Sequence, residues 1–250
     1  MTVDVARVQT ATLLMHFDAS WVERLLRAGG DRALPLSDDE RALFASVDVR
    51  GFRADALRAA RAVFAVVDEL PVSAAIVGLP KLFAFLRHDA FVDVCAGRAS
   101  LVEGAAAFIE GDARTAVRIE RAVARAHRRK RRFVGRAAAG VGVVVDVDAG
   151  SLAHYGALRA ALAPRPTEAV GQGQRLQWTL PATSEREHVL VQAGALSTCS
   201  GPLARLVDAA CVIDDAAALV ARAIALGCDD VDDARALLHD LAGDGLLRAA

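Results

Sequence analysis

The sequence predicts an α+β protein: an all-α first half, then a small antiparallel sheet bearing a winged helix-turn-helix. Three observations predict it. Apolar residues recur at helical spacing up to residue 132. Beyond Phe133 the pattern shortens to short β-branched and alternating runs. The stretch 187–248 then reads strand, strand and three helices. A boundary near residue 132 follows, with a helical domain over 1–132 and an α+β domain over 133–250.

In the first half, Trp21, Val22, Leu25 and Leu26 form one apolar stripe. Ser37-Asp-Asp-Glu40 is a capping box, in which serine and glutamate satisfy each other's backbone donors. Leu57, Ala60, Phe64 and Val67 follow 3-4-3 spacing and are expected inward, with Arg53, Arg58 and Arg61 outward. That helix should end at Glu69-Leu70-Pro71, because a residue before proline avoids the helical region. Ile76, Leu79, Leu82, Phe83 and Leu86 give another apolar surface, which Pro80 should kink or break. A last helix spans Asp112 to Arg132, with Ala116, Ile119, Val123 and Ala126 inward.

In the second half, Val141–Val147 is a strand, Asp148-Ala-Gly150 a turn, and Ser151–Leu162 a helix. Residues 164–173, rich in proline and glycine, read as a loop. Arg175–Leu180 alternates as a strand does, with Leu176, Trp178 and Leu180 inward. A hairpin follows: Glu187–Gln192, a turn at Gly194, and Ala195–Cys199. Ser200-Gly201-Pro202 opens a helix. Asp214 and Asp230 sit at N-cap positions, Gly227 and Gly243 at C′ positions. Leu203, Leu206, Val207 and Ala210 share one face, and Val231, Ala234, Leu237, Leu238 and Leu241 another.

Composition narrows the function classes. The 250 residues are 54% hydrophobic and 24% charged, enough for a substantial core. A net charge of −1 gives no general pull toward nucleic acid or membrane. The N-terminus lacks a basic segment followed by an apolar one, and no uncharged apolar run approaches about 18 residues. Four dispersed cysteines, Cys95, Cys199, Cys211 and Cys228, read as reduced thiols, so a cytoplasmic protein is expected.

No catalytic set stands out. The six histidines, His16, His88, His127, His154, His188 and His239, show no metal-ligand spacing. Ser151 follows a glycine but lies in no nucleophile elbow. Gly140-Val-Gly142 and Gly171-Gln-Gly173 lack the strand-to-helix setting of a phosphate cradle. The run His127-Arg-Arg-Lys-Arg-Arg132 reads as an anion- or partner-binding stripe or as a solvated helix end, where cations meet the negative end of the helix dipole; the second is favoured because no aromatics interleave the charges. From Ser200 onward, nine aspartates face four arginines, and the third helix begins Asp230-Val-Asp-Asp233. Carboxylates there would be repelled by phosphates, which argues against DNA reading. A short sheet edge can instead accept an extended peptide as an added strand.

The segment from His188 to Leu247, ending Asp244-Gly245-Leu246-Leu247, resembles the peptide-clamp domain known as the RiPP recognition element. The pyrroloquinoline quinone chaperone is its simplest case. The resemblance implies that the leader of a ribosomally made peptide binds against the last strand and third helix. Those contacts would fall on Leu196, Ser197, Thr198, Val231, Ala234, Arg235 and Leu238.

A second resemblance rests on Leu36–Leu43, Phe52–Arg61, Glu69–Ala75 and Val145–Tyr155. These segments are similar to the partner subunits of multinuclear non-haem iron oxidative enzymes. One position departs: a tryptophan expected near Ala56 is not there. The resemblance implies a non-catalytic subunit with no cofactor of its own, in a heterodimer with an iron-bearing barrel enzyme. It would present the peptide core, a cysteine by the family's chemistry, to that iron. Nucleic acid and membrane are not expected partners. The alternative is a winged-helix transcriptional regulator binding DNA.

Overall fold

A computed structural model describes residues 3–26, 30–45, 48, 51, 56–132, 142–192, 195–213 and 215–247, without the side chains of 56 and 128–132. Among the described residues the protein is mostly helical, with a small three-stranded antiparallel sheet, an α+β architecture. Its contacts divide it into two units: Met1–Arg114 with Ala161–Gln177, and Thr115–Ala160 with Trp178–Ala250. Residue 132 lies inside the second.

The first unit holds helices α1 (Val5–Phe17), α2 (Ser20–Leu26), α3 (Asp38–Phe44), α4 (Ala56–Glu69), α5 (Pro71–Val77), α6 (Leu79–Phe85) and α7 (Asp89–Cys95). The capping box forms at α3: Ser37 Oγ accepts from the Glu40 N–H at 3.2 Å, and Glu40 Oε2 from the Ser37 N–H at 2.8 Å. Glu40 is buried and also accepts from the Asp4 N–H at 3.0 Å and from Arg7 at 3.3 Å. The backbone donors of Ser37 and then Asp4 hold its carboxyl below the usual glutamate range. Trp21 and Leu25 are fully buried, and the Trp21 indole N–H donates to the Leu86 carbonyl at 2.7 Å.

Prolines and one glycine punctuate this unit. α4 ends at Glu69 and Pro71 opens α5, as the sequence predicts. The next break falls at Gly78, with φ +77°, and Pro80 sits in the first turn of α6. A Cβ at Gly78 would collide with the Arg175 guanidinium, which donates to the Ile76 carbonyl at 2.8 Å.

Four expectations are corrected here. The buried face of α4 is Ala59, Val63, Val66 and Val67, while Leu57 is exposed. Two stripes with 3-4 spacing overlap in this alanine- and valine-rich helix, and packing selected the one leading to buried Leu70. The last helix of the first half, α8 (Leu101–Arg132), starts well before Asp112 and loses helical geometry at Ala113, beside the division between the units. Residues 166–171 form a short helix α10 (Pro166–Gly171), not loop, because Pro166 is pre-set for a first turn. Arg175–Leu180 is not a strand; it alternates between half-buried and exposed residues without a ladder partner.

In the second unit, Ala116, Ile119 and Ala126 of α8 are buried. Strand β1 (Val143–Asp148) leads through a turn at Gly150, φ +82°, into α9 (Ser151–Ala161). Strands β2 (Arg186–Gln192) and β3 (Ala195–Cys199) complete a sheet of order β1-β2-β3, both pairs antiparallel. Three helices follow: α11 (Gly201–Ala210), α12 (Ala216–Ala225) and α13 (Val231–Gly243). Asp230 caps α13 as expected, Ser200 caps α11, and the cap of α12 is Asp215, one residue after the expected Asp214. Gly243 belongs to α13 itself; Gly245, φ +72°, takes the left-handed position after it. The turn at Gly194, the cap at Asp214, Val141, Arg53 and the side chains of 128–132 lie outside the described residues.

Register assigns the faces of the sheet, because directly opposed residues share a face. Val144, Leu190 and Ser197 form one row, and Asp146, His188 and Cys199 the next. Leu190 on this face packs with Leu206, Val207, Ala223, Ala234, Leu241, Leu246 and Leu247 from the helical end of the chain. The other face carries Val143, Val191 and Leu196, then Val145, Val189 and Thr198. Val189 and Val191 are fully buried, so the central strand is covered on both sides. Glu187 joins the sheet to α9 by accepting from the Leu152 N–H at 2.6 Å.

Candidate functional site

Among the described residues, strand β3 is one edge of the sheet, with β1 the other, and pairs with β2. Its sequence, Ala-Leu-Ser-Thr-Cys, has no charge and no proline, the features that ordinarily blunt an edge against pairing. Ser197 and Thr198 are exposed and Leu196 is half-buried. Leu196 and Thr198 point to the face opposite the helices, and Ser197 to the helix-bearing face. The strand residues expected to touch a peptide are thus split between the two faces.

On α13 the seven-residue prediction also divides. Val231 is 42% exposed, and Arg235 is exposed with an ion pair to Asp232 at 3.5 Å. Leu238 is half-buried against the helical core. Ala234 is fully buried in that core, so it supports the surface and does not form it. Helical periodicity had grouped Val231 and Ala234 together; one turn at the helix start separates an open position from a closed one.

The start of α13 is strongly acidic, with Asp229, Asp230, Asp232 and Asp233 all exposed. Asp230 accepts from the N–H groups of Asp232 and Asp233, each at 2.9 Å. Asp233 Oδ2 accepts from the Asp229 N–H at 3.3 Å. These carboxylates satisfy orphan donors and complement the helix dipole. They also give this end a negative surface.

One constellation escaped the sequence. Asp146 on β1, His188 on β2 and Cys199 on β3 stand in a single cross-strand row. His188 Nδ1 is bonded to Asp146 Oδ1. Burial, then Asp146 and Asp208, push the Cys199 thiol up. Burial and then Asp146 push the Asp208 carboxyl up, with His188 acting in the opposite direction. Asp146 and His188 lie 42 residues apart in sequence, so only the register could have revealed the row.

Other candidates have structural roles. His88 caps α7, its Nδ1 accepting from the Ala90 N–H at 3.1 Å. His154 packs edge-on against Trp178 at 4.8 Å between ring centres. Ser151 is fully buried, and its hydroxyl has no hydrogen-bond partner among the described residues. Tyr155 is buried and bonded to the buried Glu120, and burial followed by that carboxylate pushes its phenol up. An open cavity of about 710 Å³ in the first unit is lined by Phe64, Pro164, Pro166 and Gly171. Its charged pair, Arg165 and Glu168, is mutually bonded at 3.1 Å. No helix among the described residues is long and apolar enough to cross a membrane.

Comparison with protein-family models, with curated proteins and with solved structures found no match.

Proposed function

We propose that the chain is a peptide-binding partner protein that captures the leader of a ribosomally synthesised precursor on the β3 edge. In this reading the sheet and α11–α13 act as a winged-helix peptide clamp. The single observation that carries it is the uncharged, unblunted edge strand, which could accept an added strand through its main chain. Ser197, Thr198, Val231 and Arg235 are its exposed contacts; Leu196 and Leu238 add partly buried apolar surface. The acidic start of α13 suits a leader with basic residues. The resemblance to partner subunits adds a multinuclear non-haem iron barrel enzyme, which would oxidise the presented core. Tethering the leader raises the local concentration of a weakly bound core at that enzyme.

Proline substitutions test the edge. Along an antiparallel strand, successive N–H groups point alternately to the two neighbouring sides. Of Ser197→Pro and Thr198→Pro, one therefore removes a ladder bond to β2 and the other an outward donor. The variant that keeps its fold by circular dichroism should lose leader binding at least tenfold. Leader affinity unchanged in that folded variant would sink the edge assignment. Co-expression with a neighbouring barrel-type enzyme and co-purification of an iron-containing complex tests the partner. A salt-sensitive affinity for duplex DNA, exceeding that for leader peptides, would favour the regulator reading.

A further inference from the structure

The outward face of α4 carries a charge arrangement that the helix by itself does not favour. Arg58 stands in its first turn, and Asp68 and Glu69 stand in its last. Cations at a helix N-terminus and carboxylates at its C-terminus both oppose the macrodipole. Nor do the charges serve one another along the helix. Within α4 no acid lies three or four residues from Arg58 or Arg61, the spacing at which helical ion pairs form. Both arginines and both acids are exposed. Asp68 accepts from the Thr167 hydroxyl on α10, and a carboxylate has room for further donors. The same face carries Leu57, 56% exposed, with half-buried Ala60 and Phe64 and exposed Ala65. Phe64 also lines the open cavity beside Pro164, Pro166 and Gly171, which adds apolar surface next to the helix.

We propose that a second copy of this chain docks on this face, α4 against α4 and antiparallel, about a two-fold axis at Phe64. The charges of α4 are symmetric about that residue. From Arg61 to Asp68 is close to two helical turns, and from Arg58 to Glu69 close to three, so each arginine shares its side of the helix with its acid. A two-fold axis perpendicular to α4 reverses its direction and leaves each side facing its own equivalent. Arg58 then meets Glu69 of the second copy and Arg61 meets its Asp68, each matched along the helix to within about 1.5 Å. Paired helices stand about 8–10 Å apart, a gap that arginine and carboxylate side chains span. The acids of one copy also come to the N-terminal end of the other helix, the end that lacks them. Phe64 falls on the axis, with Leu57 and Ala65 completing the apolar contact. A foreign partner would have to match this order of charges, whereas the chain supplies it in register. The face lies in the first unit and β3 in the second, so the proposal does not depend on the peptide-binding reading.

Sedimentation velocity on the full chain, over a range of concentrations, tests this. A monomer–dimer equilibrium should appear, and added salt should weaken it. Arg61→Glu and Asp68→Lys should each weaken dimerisation at least tenfold, because each sets like charges opposite one another. Mixing the two variants should restore it, since the mixed pair joins opposite charges at both contacts. Arg222→Glu, on α12, should change nothing. A monomer at every concentration would overturn the proposal. So would a dimer that neither variant weakens, or variants that do not recover on mixing. Where circular dichroism shows a variant unfolded, a cysteine beside the axis decides instead. Ala65→Cys, combined with Cys211→Ser to remove the exposed native thiol, should oxidise to a covalent dimer. Ala221→Cys in the same background should not, and equal yields from the two would overturn the pairing.

Discussion

The rotation of α13 about its own axis decides which of its residues a peptide could touch, and two neighbouring positions measure it. Ala234 is 0% exposed and sits in the same core as Leu190, Leu206, Val207 and Leu241. Ala234→Leu forces three extra carbons into that core, and overpacking of this kind costs about 1–3 kcal/mol. In a chain of this size each kcal/mol lowers the melting temperature by about 2–4 °C, so a fall of roughly 2–12 °C is expected. Arg235 lies one residue on, with a side chain 68% exposed and an ion pair to a 94% exposed Asp232. Arg235→Leu should change stability by less than about 0.5 kcal/mol, since exposed pairs of this type contribute little. Urea titration followed by circular dichroism compares the two variants directly. A silent Ala234→Leu beside a destabilised Arg235→Leu would mean that α13 presents another face, and the exposed contact set would have to be redrawn.

Further outcomes follow from ionisation and exposure. Asp208 has its carboxyl raised above the ordinary range by burial and by Asp146. A raised folded-state value means that stability is complete at acid pH and declines as pH rises through it. Asp208→Asn should therefore be more stable than the parent at pH 7, with the gap closing below about pH 4. Equal stability at pH 7 would contradict the repulsion. Burial pushes the Cys95 thiol up to about 12, whereas Cys211 is exposed. Iodoacetamide at pH 8 should label Cys211 well before Cys95, read by peptide mass spectrometry, and the two should react alike in urea. Tyr155→Phe removes a bond to the buried Glu120 and should cost about 1–3 kcal/mol. A variant as stable as the parent in urea would show that the phenol is dispensable.

Local signals in the sequence were reliable where a single interaction enforces them. The capping box at Ser37 and the cap at Asp230 follow from backbone donors needing one nearby partner, and the break at Pro71 and the start of α11 at Pro202 from the fixed proline ring. Signals shared by two structures failed. Alternation at Arg175–Leu180 describes any extended chain lying on a surface, and only a neighbouring strand would make it a sheet. The proline-rich segment 164–173 contains both a loop and a helix start, and Pro166 serves the second. In α4, apolar residues at 57-60-64-67 and at 59-63-66-70 both fit helical spacing, so packing had to choose. The candidate peptide contacts lie on β3 and α13, yet the alternation of β3 sends Leu196 and Thr198 to one face and Ser197 to the other. The cross-strand row was beyond reach altogether, because Asp146, His188 and Cys199 become neighbours only through two strand registers.

The acidic start of α13 has two physical accounts that operate together. Asp230 and its neighbours would be favoured there in any protein, since carboxylates at a helix N-terminus bond its orphan N–H groups and meet its positive end. That role needs one or two of them, and Asp230 already serves both the Asp232 and Asp233 donors. Asp232 is 94% exposed and bonds only weakly to Arg235 at 3.5 Å, so its charge projects into solvent with little left to do for the fold. Neutralising Asp232 should therefore leave stability nearly unchanged. If the proposed clamp takes a basic leader, Asp232→Asn should lower the association rate at low salt and lose its effect as salt is raised. If α13 instead approached nucleic acid, the same substitution should raise DNA affinity. Opposite signs from one silent surface change separate the two readings, with no need to know the peptide in advance beyond its charge.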